Sequence, residues 1–321
     1  MLFFMNYLKK FLKRKLPWVF STIKWAYFFI TGRTFLGLQE KKLSKIRDTK
    51  GQFNLKIQYK MAHDRNPMLS IYADKSRVRE FVTEKIGNKY LSKIYVDTQE
   101  PELINFSTLP LEYVIKANHG SGAVIIVWND APIEYRLNVN SGKWSVVSIN
   151  PKSFEDEKAL QIMKKWMSQN YYWVPGQLPE WAYKNIEPRV IIEELFTDNQ
   201  GGIPDDFKFY MIDGKCEFIH VRTDEDGLKT RDLFDSSWNR LPIKWSMPNS
   251  KKEIMKPNHL EEMLMIAQEL SKGIDFIRVD LYETNGGVKF GELTNYPDGG
   301  TKKFKPKIYN TRIGETWTPK Y

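Results

Sequence analysis

Two segments far apart in the sequence constrain this chain more than any other feature: residues 112–122, EYVIKANHGSG, and residues 276–300, FIRVDLYETNGGVKFGELTNYPDGG. The first is an apolar strand that ends on Lys116 and runs into a loop, His119-Gly120-Ser121-Gly122. A cation at a strand end followed by loop N–H groups makes an anion nest, and nucleotide phosphates suit it. The second reads as two strands turning at Asn285-Gly286-Gly287, with Asp280 on one and Glu292 on the other. Carboxylate oxygens are what Mg²⁺ takes, its remaining positions going to water and nucleotide phosphates. Together the two segments describe a site holding Mg-ATP between a phosphate loop and a carboxylate pair.

A chain of 321 residues buries a sizeable core and divides into two or three lobes. Hydrophobic residues at 41% and aromatic residues at 14% mark it as folded rather than disordered. Cys216 is its one cysteine, which rules out an intramolecular disulfide and suits a reducing compartment. With four histidines scattered beside that single thiol, a zinc centre is not expected. The formal net charge of +10 points to an anionic partner, and its placement says which.

Much of that charge lies in residues 1–36, where Lys9, Lys10, Lys13, Arg14 and Lys15 interleave with Phe, Leu, Trp and Tyr. The most apolar stretch, residues 16–31, is interrupted by Lys24 and falls short of the roughly 20 residues that a bilayer span needs. Aromatic residues on one face and cations on another fit a helix lying in the headgroup region of an anionic membrane. No small-residue cleavage site follows, so a signal peptide is not expected. An amphipathic helix docked on the protein's own core is the alternative. Peripheral attachment to the inner, cytoplasmic face of the cell membrane is the expectation. Nucleic acid is not an expected partner, because the basic residues concentrate beside membrane-type aromatics.

Further along, no repeat or low-complexity tract occurs. Residues 43–65 look helical and basic. Asp74 reads as the N-cap of a helix through Ile86 that Gly87 stops. Strands follow near Ile94 and over 109–116, and a β-branched run at 123–127 closes a hairpin around the glycine loop. Residues 154–169 have helical spacing, with Leu160, Met163, Trp166 and Met167 on one side. A buried strand at 190–196 carries two acids, Glu193 and Glu194, near its end. Asp213-Gly214 joins strands at 207–212 and 217–222 with type I′ chemistry. A helix over 259–272 has Leu260, Met263, Leu264, Ala267 and Leu270 in register, and Gly273 ends it. The expected parts are a preceding region at 37–108, a lid subdomain at 109–195, and a C-terminal subdomain with the metal site at 196–321. Hairpin connections throughout make the expected class α+β rather than a doubly wound parallel sheet.

The blocks HDRNPMLSIYADKSRVREFV, IKANHGSG, DFKFYMIDG, RVDLY and FGELTNYPDGG follow one another across residues 40–300. In that order they resemble the ATP-grasp superfamily. Within it they resemble the branch of teichuronopeptide-biosynthesis enzymes found in bacterial capsule and cell-surface polysaccharide loci. The resemblance implies an ATP-grasp fold, two α+β lobes clamping ATP under a mobile lid. It implies that Lys75 reaches the ATP phosphates from outside the lid and that Lys116 is the lid lysine on them. His119, as a hydrogen-bond donor, and Gly120, Ser121 and Gly122 would complete the phosphate loop. One of Glu193 and Glu194, Glu193 aligning best, with the backbone of Leu195 and Phe196, would read the adenine edge at the interlobe hinge. Asp206 resembles the acid on the ribose hydroxyls, or else one that orients a phosphate-binding cation, and Lys208, on the same strand face, would meet the phosphates; a plain surface salt bridge between them is the competing reading.

Asp280 and Glu292 would hold Mg²⁺, because a buried strand rarely carries carboxylates without a compensating cation. Where the family pattern puts Asn, two residues past the glutamate, this chain has Thr294, with Asn295 next. The third ligand is therefore Thr294, Asn295 or water. Arg278 resembles the arginine that steadies the transferred phosphoryl group, with Arg222 and then Arg231 as further candidates. The aromatic cluster from Trp166 to Trp181 reads as packed lid core, with sugar stacking as its alternative.

ATP-grasp enzymes activate a carboxylate as an acyl phosphate that an amine then attacks. The branch implies an acidic glycan or its lipid-linked precursor as one partner and an amino acid or other amine as the other. Three classes stay open: a ligase joining an amino acid or peptide to a uronic-acid-containing glycan, a kinase phosphorylating a glycan hydroxyl, and a non-catalytic membrane-associated assembly factor. Intact Lys116, Asp280 and Glu292 count against the last.

Overall fold

Short apolar runs broken by glycine and asparagine turns give twelve strands among the described residues, arranged as two five-stranded sheets and a two-stranded ribbon. The computed structural model describes residues 51–139, 144–174, 178–225 and 228–321. The basic segment at 1–36, with its expected membrane attachment, lies outside them.

Three helices come first: α1 (Phe53–His63), α2 (Met68–Ala73) and α3 (Val78–Ile86). Asp74 starts the turn before α3 rather than the helix itself. Its carboxylate accepts from the Ser76 and Arg77 amides, while its own amide closes α2 on the Ser70 carbonyl. Gly87, at φ 91, ends α3.

The strands β1 (Ile94–Thr98), β2 (Tyr113–Ala117), β3 (Val124–Val127), β4 (Val146–Ile149) and β5 (Val190–Glu193) form the first sheet in the order β1-β5-β2-β3-β4. All pairings are antiparallel save β3 with β4. The hairpin expected around the glycine loop is β2–β3, with Lys116 opposite Val124. Strand β1 pairs with β5, so this sheet draws on sequence before residue 109. Helix α4 (Asp156–Met167) covers it, its Ala159, Met163 and Trp166 sharing one core with Ile115, Ile125 and Ile192.

The second sheet consists of β6 (Asp206–Ile212), β7 (Lys215–Glu225), β8 (Leu228–Phe234), and then, past β9 (Lys244–Trp245), β10 (Phe276–Thr284) and β11 (Gly287–Thr294). Its order is β11-β10-β6-β7-β8, wholly antiparallel. Strand β9 pairs with β12 (Phe304–Lys305) as the ribbon. Strand alternation gives this sheet two unlike faces. Ile277, Val279 and Leu281 pack with Leu260, Met263, Ala267 and Leu270 of α5 (Leu260–Ser271). Arg278 and Asp280 therefore point the other way. That side also carries Tyr210, Phe218 and Phe276, packed on Phe53 of α1 and on Trp317, just past α6 (Ile308–Glu315).

Lys60 ties α1 to this sheet. Only 1% exposed, it donates to Asp64 and Asp275, each at 2.7 Å, and Asp275 also accepts from the Trp317 indole at 2.9 Å. Lys60→Ala leaves two carboxylates without their shared cation, so a stability loss of roughly 3–5 kcal/mol is expected. A lower urea midpoint at unchanged m-value would register it.

Candidate nucleotide and metal site

The register of the second sheet sets Asp280 opposite Glu292 on one side and Lys208 on the other, so the three side chains share a face. Arg278, two residues earlier on β10, joins them. Its Nε donates to Asp280 Oδ1 at 2.6 Å, and its Nη2 to Asp280 Oδ2 at 2.6 Å and Glu292 Oε1 at 2.7 Å. Lys208 Nζ donates to Asp280 Oδ2 at 3.0 Å and also to Asp206. Thr294 Oγ1 donates to Glu292 Oε1 at 2.9 Å.

Charge dominates this cluster. Burial works to raise the pKa of Glu292, but Arg278, Lys75 and Lys208 outweigh it and hold the carboxyl at about 2. Burial pushes Lys208 below the usual lysine range, against the pull of Asp280. A guanidinium nitrogen already stands, as a cation, between the two carboxylates. An oxygen-rich donor set of that kind suits a hard divalent ion. Asp280 and Glu292 are the residues that would hold Mg²⁺ there. No group of three His, Cys, Asp or Glu placed for a metal occurs among the described residues, so the remaining positions would go to water and phosphate oxygens.

Asn295 does not join the pair. Alternation along β11 and beyond turns it to the opposite side, where it is 3% exposed and its Nδ2 donates to the Leu69 carbonyl at 2.9 Å. Thr294 is the neighbour of Glu292.

The first sheet supplies the facing wall. A cavity of about 330 Å³ is lined by Lys75, Lys116, Ser121 and Gly122, by Glu193, Glu194, Leu195 and Phe196, and by Asp206, Lys208, Asp280 and Glu292. Sequence blocks separated by most of the chain thus meet in one place. Val114, Val124, Ile126 and Val146 give the cavity an apolar side suited to a flat base. Lys75 Nζ donates to the Gly120 carbonyl at 2.5 Å, bracing the loop from α3's side. Burial lowers its pKa, against the pull of Glu292.

Several expected roles change here. Glu193 does not stand free toward an adenine edge: it is ion-paired with Lys116, accepts from Ser92 Oγ at 2.6 Å, and lies 3.8 Å from Arg79. Burial opposes its ionisation, yet Lys116 and Ser92 keep its pKa below the usual carboxylate value. It orients Lys116. His119 is turned away from the loop's open side. It is 1% exposed, with Nδ1 at 3.0 Å from Asn118 Oδ1 and Nε2 at 3.1 and 3.2 Å from the Trp166 and Gln169 carbonyls. Its ring thus pins the loop to the end of α4. Gly120 and Gly122 make room for Trp144: a Cβ at Gly120 would sit 2.2 Å from that ring, and Gly122, at φ +85, lies against the Trp144 carbonyl. Arg222 is exposed opposite Arg231 in the β7–β8 register and does not line this cavity, because β7 lies two strands from the β10 that carries Asp280.

Arg231 is the better placed of the two. Only 6% exposed, it donates to Asp298 Oδ2 at 3.1 Å. Asp298 lines a second cavity, of about 410 Å³, with Tyr171, Glu180, Tyr183, Arg278 and Tyr296. Ser121 and Glu292 line both cavities, so the two adjoin. Sequence reasoning missed Glu180, Tyr183 and Asp298. Only Asp298 had a signal, its place in the NYPDGG block.

Two α+β lobes enclosing a nucleotide-sized cavity, with paired carboxylates on the sheet of one and a lysine on the sheet of the other, define an ATP-grasp enzyme. The family model for TupA-like ATPgrasp matches residues 55–318, and the chain belongs to that family. Among solved structures it is similar to D-alanine–D-alanine ligase from Bacillus anthracis, at 15% identity over 78% of this chain and 67% of that one, with a TM-score of 0.41. It is also similar to purK, N5-carboxyaminoimidazole ribonucleotide synthetase, in its ADP complex (10% identity, 72% of this chain, 46% of that one, TM-score 0.39). A third is the ATP-grasp ligase PsnB with minimal precursor, Mg and ADP (11% identity, 75% and 57%, TM-score 0.38). The chain spans about half to two thirds of the length of these structures. Comparison with curated proteins finds no match.

Proposed function

We propose that this chain is an ATP- and Mg²⁺-dependent carboxylate–amine ligase working through an acyl phosphate. The observation that carries the reading is the junction of the two cavities at Ser121 and Glu292. One cavity gathers Lys75, Lys116 and Lys208, cations that would collect phosphate charge; the other is a polar chamber that opens beside Glu292 and Arg278. Phosphoryl transfer needs positioning and electrostatic stabilisation more than protein covalent chemistry, and this arrangement supplies both. Bound by Asp280 and Glu292, Mg²⁺ would neutralise charge on the transferring phosphoryl group. Arg278 faces the acceptor side and would steady the developing oxyanion.

The carboxylate partner in this reading is an acidic, uronic-acid-containing glycan or its lipid-linked precursor, and the amine is an amino acid or peptide, in capsule or other surface-polysaccharide synthesis. The match of the sequence blocks to the teichuronopeptide branch, and membership of the TupA-like family, support it. The test incubates the protein with Mg-ATP, candidate uronates and an amino-acid panel, and follows ADP against AMP by mass spectrometry. Added hydroxylamine should trap a hydroxamate. A phosphorylated sugar without hydroxamate would make the protein a kinase instead.

Peripheral attachment to the inner face of the membrane is part of the same reading, since a lipid-linked precursor lies there. No described helix is long and apolar enough to cross a membrane. Deleting residues 1–32 is expected to abolish sedimentation with anionic vesicles, and salt to weaken it for the full chain by screening the Lys/Arg attraction. Attachment that resists salt and carbonate, with a crossing found by protease mapping, would overturn the peripheral assignment.

A further inference from the structure

One acid in the second cavity stands outside its ion pairs. Arg278 is paired with Asp280 and Glu292, and Asp298 with Arg231, whereas Glu180 has no side-chain hydrogen-bond or ion-pair partner among the described residues. Its backbone is held, because the Glu180 carbonyl accepts from the Tyr183 amide at 3.1 Å, so the carboxyl is presented to the cavity from a fixed turn. Tyr171 and Tyr183, 6% and 9% exposed, stand as aromatic walls beside it.

We propose that this cavity takes the amine substrate as its ammonium, and that Glu180 is the side chain that holds it. The inference rests on the ligase reading for its purpose. A partly buried carboxylate is costly without a cation, and among the described residues none forms an ion pair with Glu180. Burial, and then the Glu292 carboxylate, push its carboxyl up to about 8, with Arg278 offsetting part of that. An ammonium brings the missing charge and three donors, and aromatic rings favour a cation over a neutral group. The volume, about 410 Å³, lies within the roughly 300–1,000 Å³ of small-molecule sites. Because Glu292 and Ser121 also line the nucleotide cavity, a nitrogen held there faces the phosphoryl end of the nucleotide.

The test titrates the full-length protein, already holding Mg-ADP, with glycine, L-alanine, D-alanine, L-glutamate and D-glucosamine, each beside its N-acetyl form, and follows thermal stabilisation. At least one free amine should saturate while its acetylated form does not. Glu180→Gln should weaken that amine by about tenfold or more, with Glu180→Asp retaining part of the binding. Mg-ADP affinity should be unchanged in both variants, which also certifies their fold. The inference is overturned if no free amine saturates, if free and acetylated forms bind alike, or if Glu180→Gln binds as wild type. It is equally overturned if Glu180→Gln alters Mg-ADP affinity, which would put Glu180 on the metal. An amine that binds here yet is never ligated would sink the ligase reading and leave this site standing.

Discussion

Glu292→Gln is expected to cut Mg-ATP turnover by about 10³-fold or more while the melting temperature stays almost unmoved. The substitution keeps the shape of the side chain and removes one of the two charges that would hold the metal. Metal neutralisation of a transferring phosphoryl group is worth several kcal/mol, and about 1.36 kcal/mol is one decade in rate. The fold tolerates the change because the Glu292 side chain is 39% exposed and Arg278 keeps two hydrogen bonds to Asp280. Asp280→Asn should lose comparable activity and some stability as well. Asp280 is 3% exposed and accepts from both Arg278 and Lys208. Neither cation is stranded by its loss, since Glu292 still takes Arg278 and Asp206 still takes Lys208. The stability cost should therefore stay near 1–3 kcal/mol, roughly that of a lost charged hydrogen bond. Wild-type turnover in Glu292→Gln would remove the metal from this pair.

The two hairpins that build the site were legible because their turns demand particular residues. Asp213 and Gly214, at φ 46 and 79, and Gly287, at φ 89, occupy conformations that a β-branched residue resists. The alternation Ile277, Val279, Leu281 against Arg278, Asp280 announced a strand with one apolar and one chemical face. The same parity already separates Glu292 and Thr294 from Asn295. Elements with no such internal pattern were not legible. Strand β8, LKTRDLF, mixes charge into its run, β9 and β12 are two residues each, and α6 has little apolar periodicity. Neighbours made those elements, as sheet context commonly does. His119 illustrates the limit for roles. A loop histidine among glycines looks available, and only the fold reveals that its ring is committed to carbonyls at the end of α4. Glu180 is the converse case: it lies in an irregular stretch, and what singles it out is the pairing of every charged group around it.

Lys116→Ala is expected to weaken ATP binding and slow chemistry together. Lys116 lies next to last in β2, lines the nucleotide cavity and is oriented by Glu193, so its cation has a fixed address before any ligand arrives. A charge that holds the phosphates in the ground state and holds them more tightly in the transition state moves KM and kcat together. Loss of one preorganised donor typically costs about 10²–10³ in kcat. Glu193, left behind, keeps Ser92 Oγ at 2.6 Å and Arg79 at 3.8 Å, so the lobe should remain folded. Lys116→Arg, which keeps the charge for Glu193 but changes its reach, should fall between the two. Gly122→Val should do similar damage without touching charge, because φ +85 and the Trp144 carbonyl 3.1 Å from the new Cβ force the loop to shift. Both losses should show as reduced thermal stabilisation by Mg-ATP, since ligand stabilisation follows occupancy and affinity. If Lys116→Ala binds and turns over ATP normally, the phosphates do not meet this lysine, and the glycine hairpin is a tight turn built around Trp144.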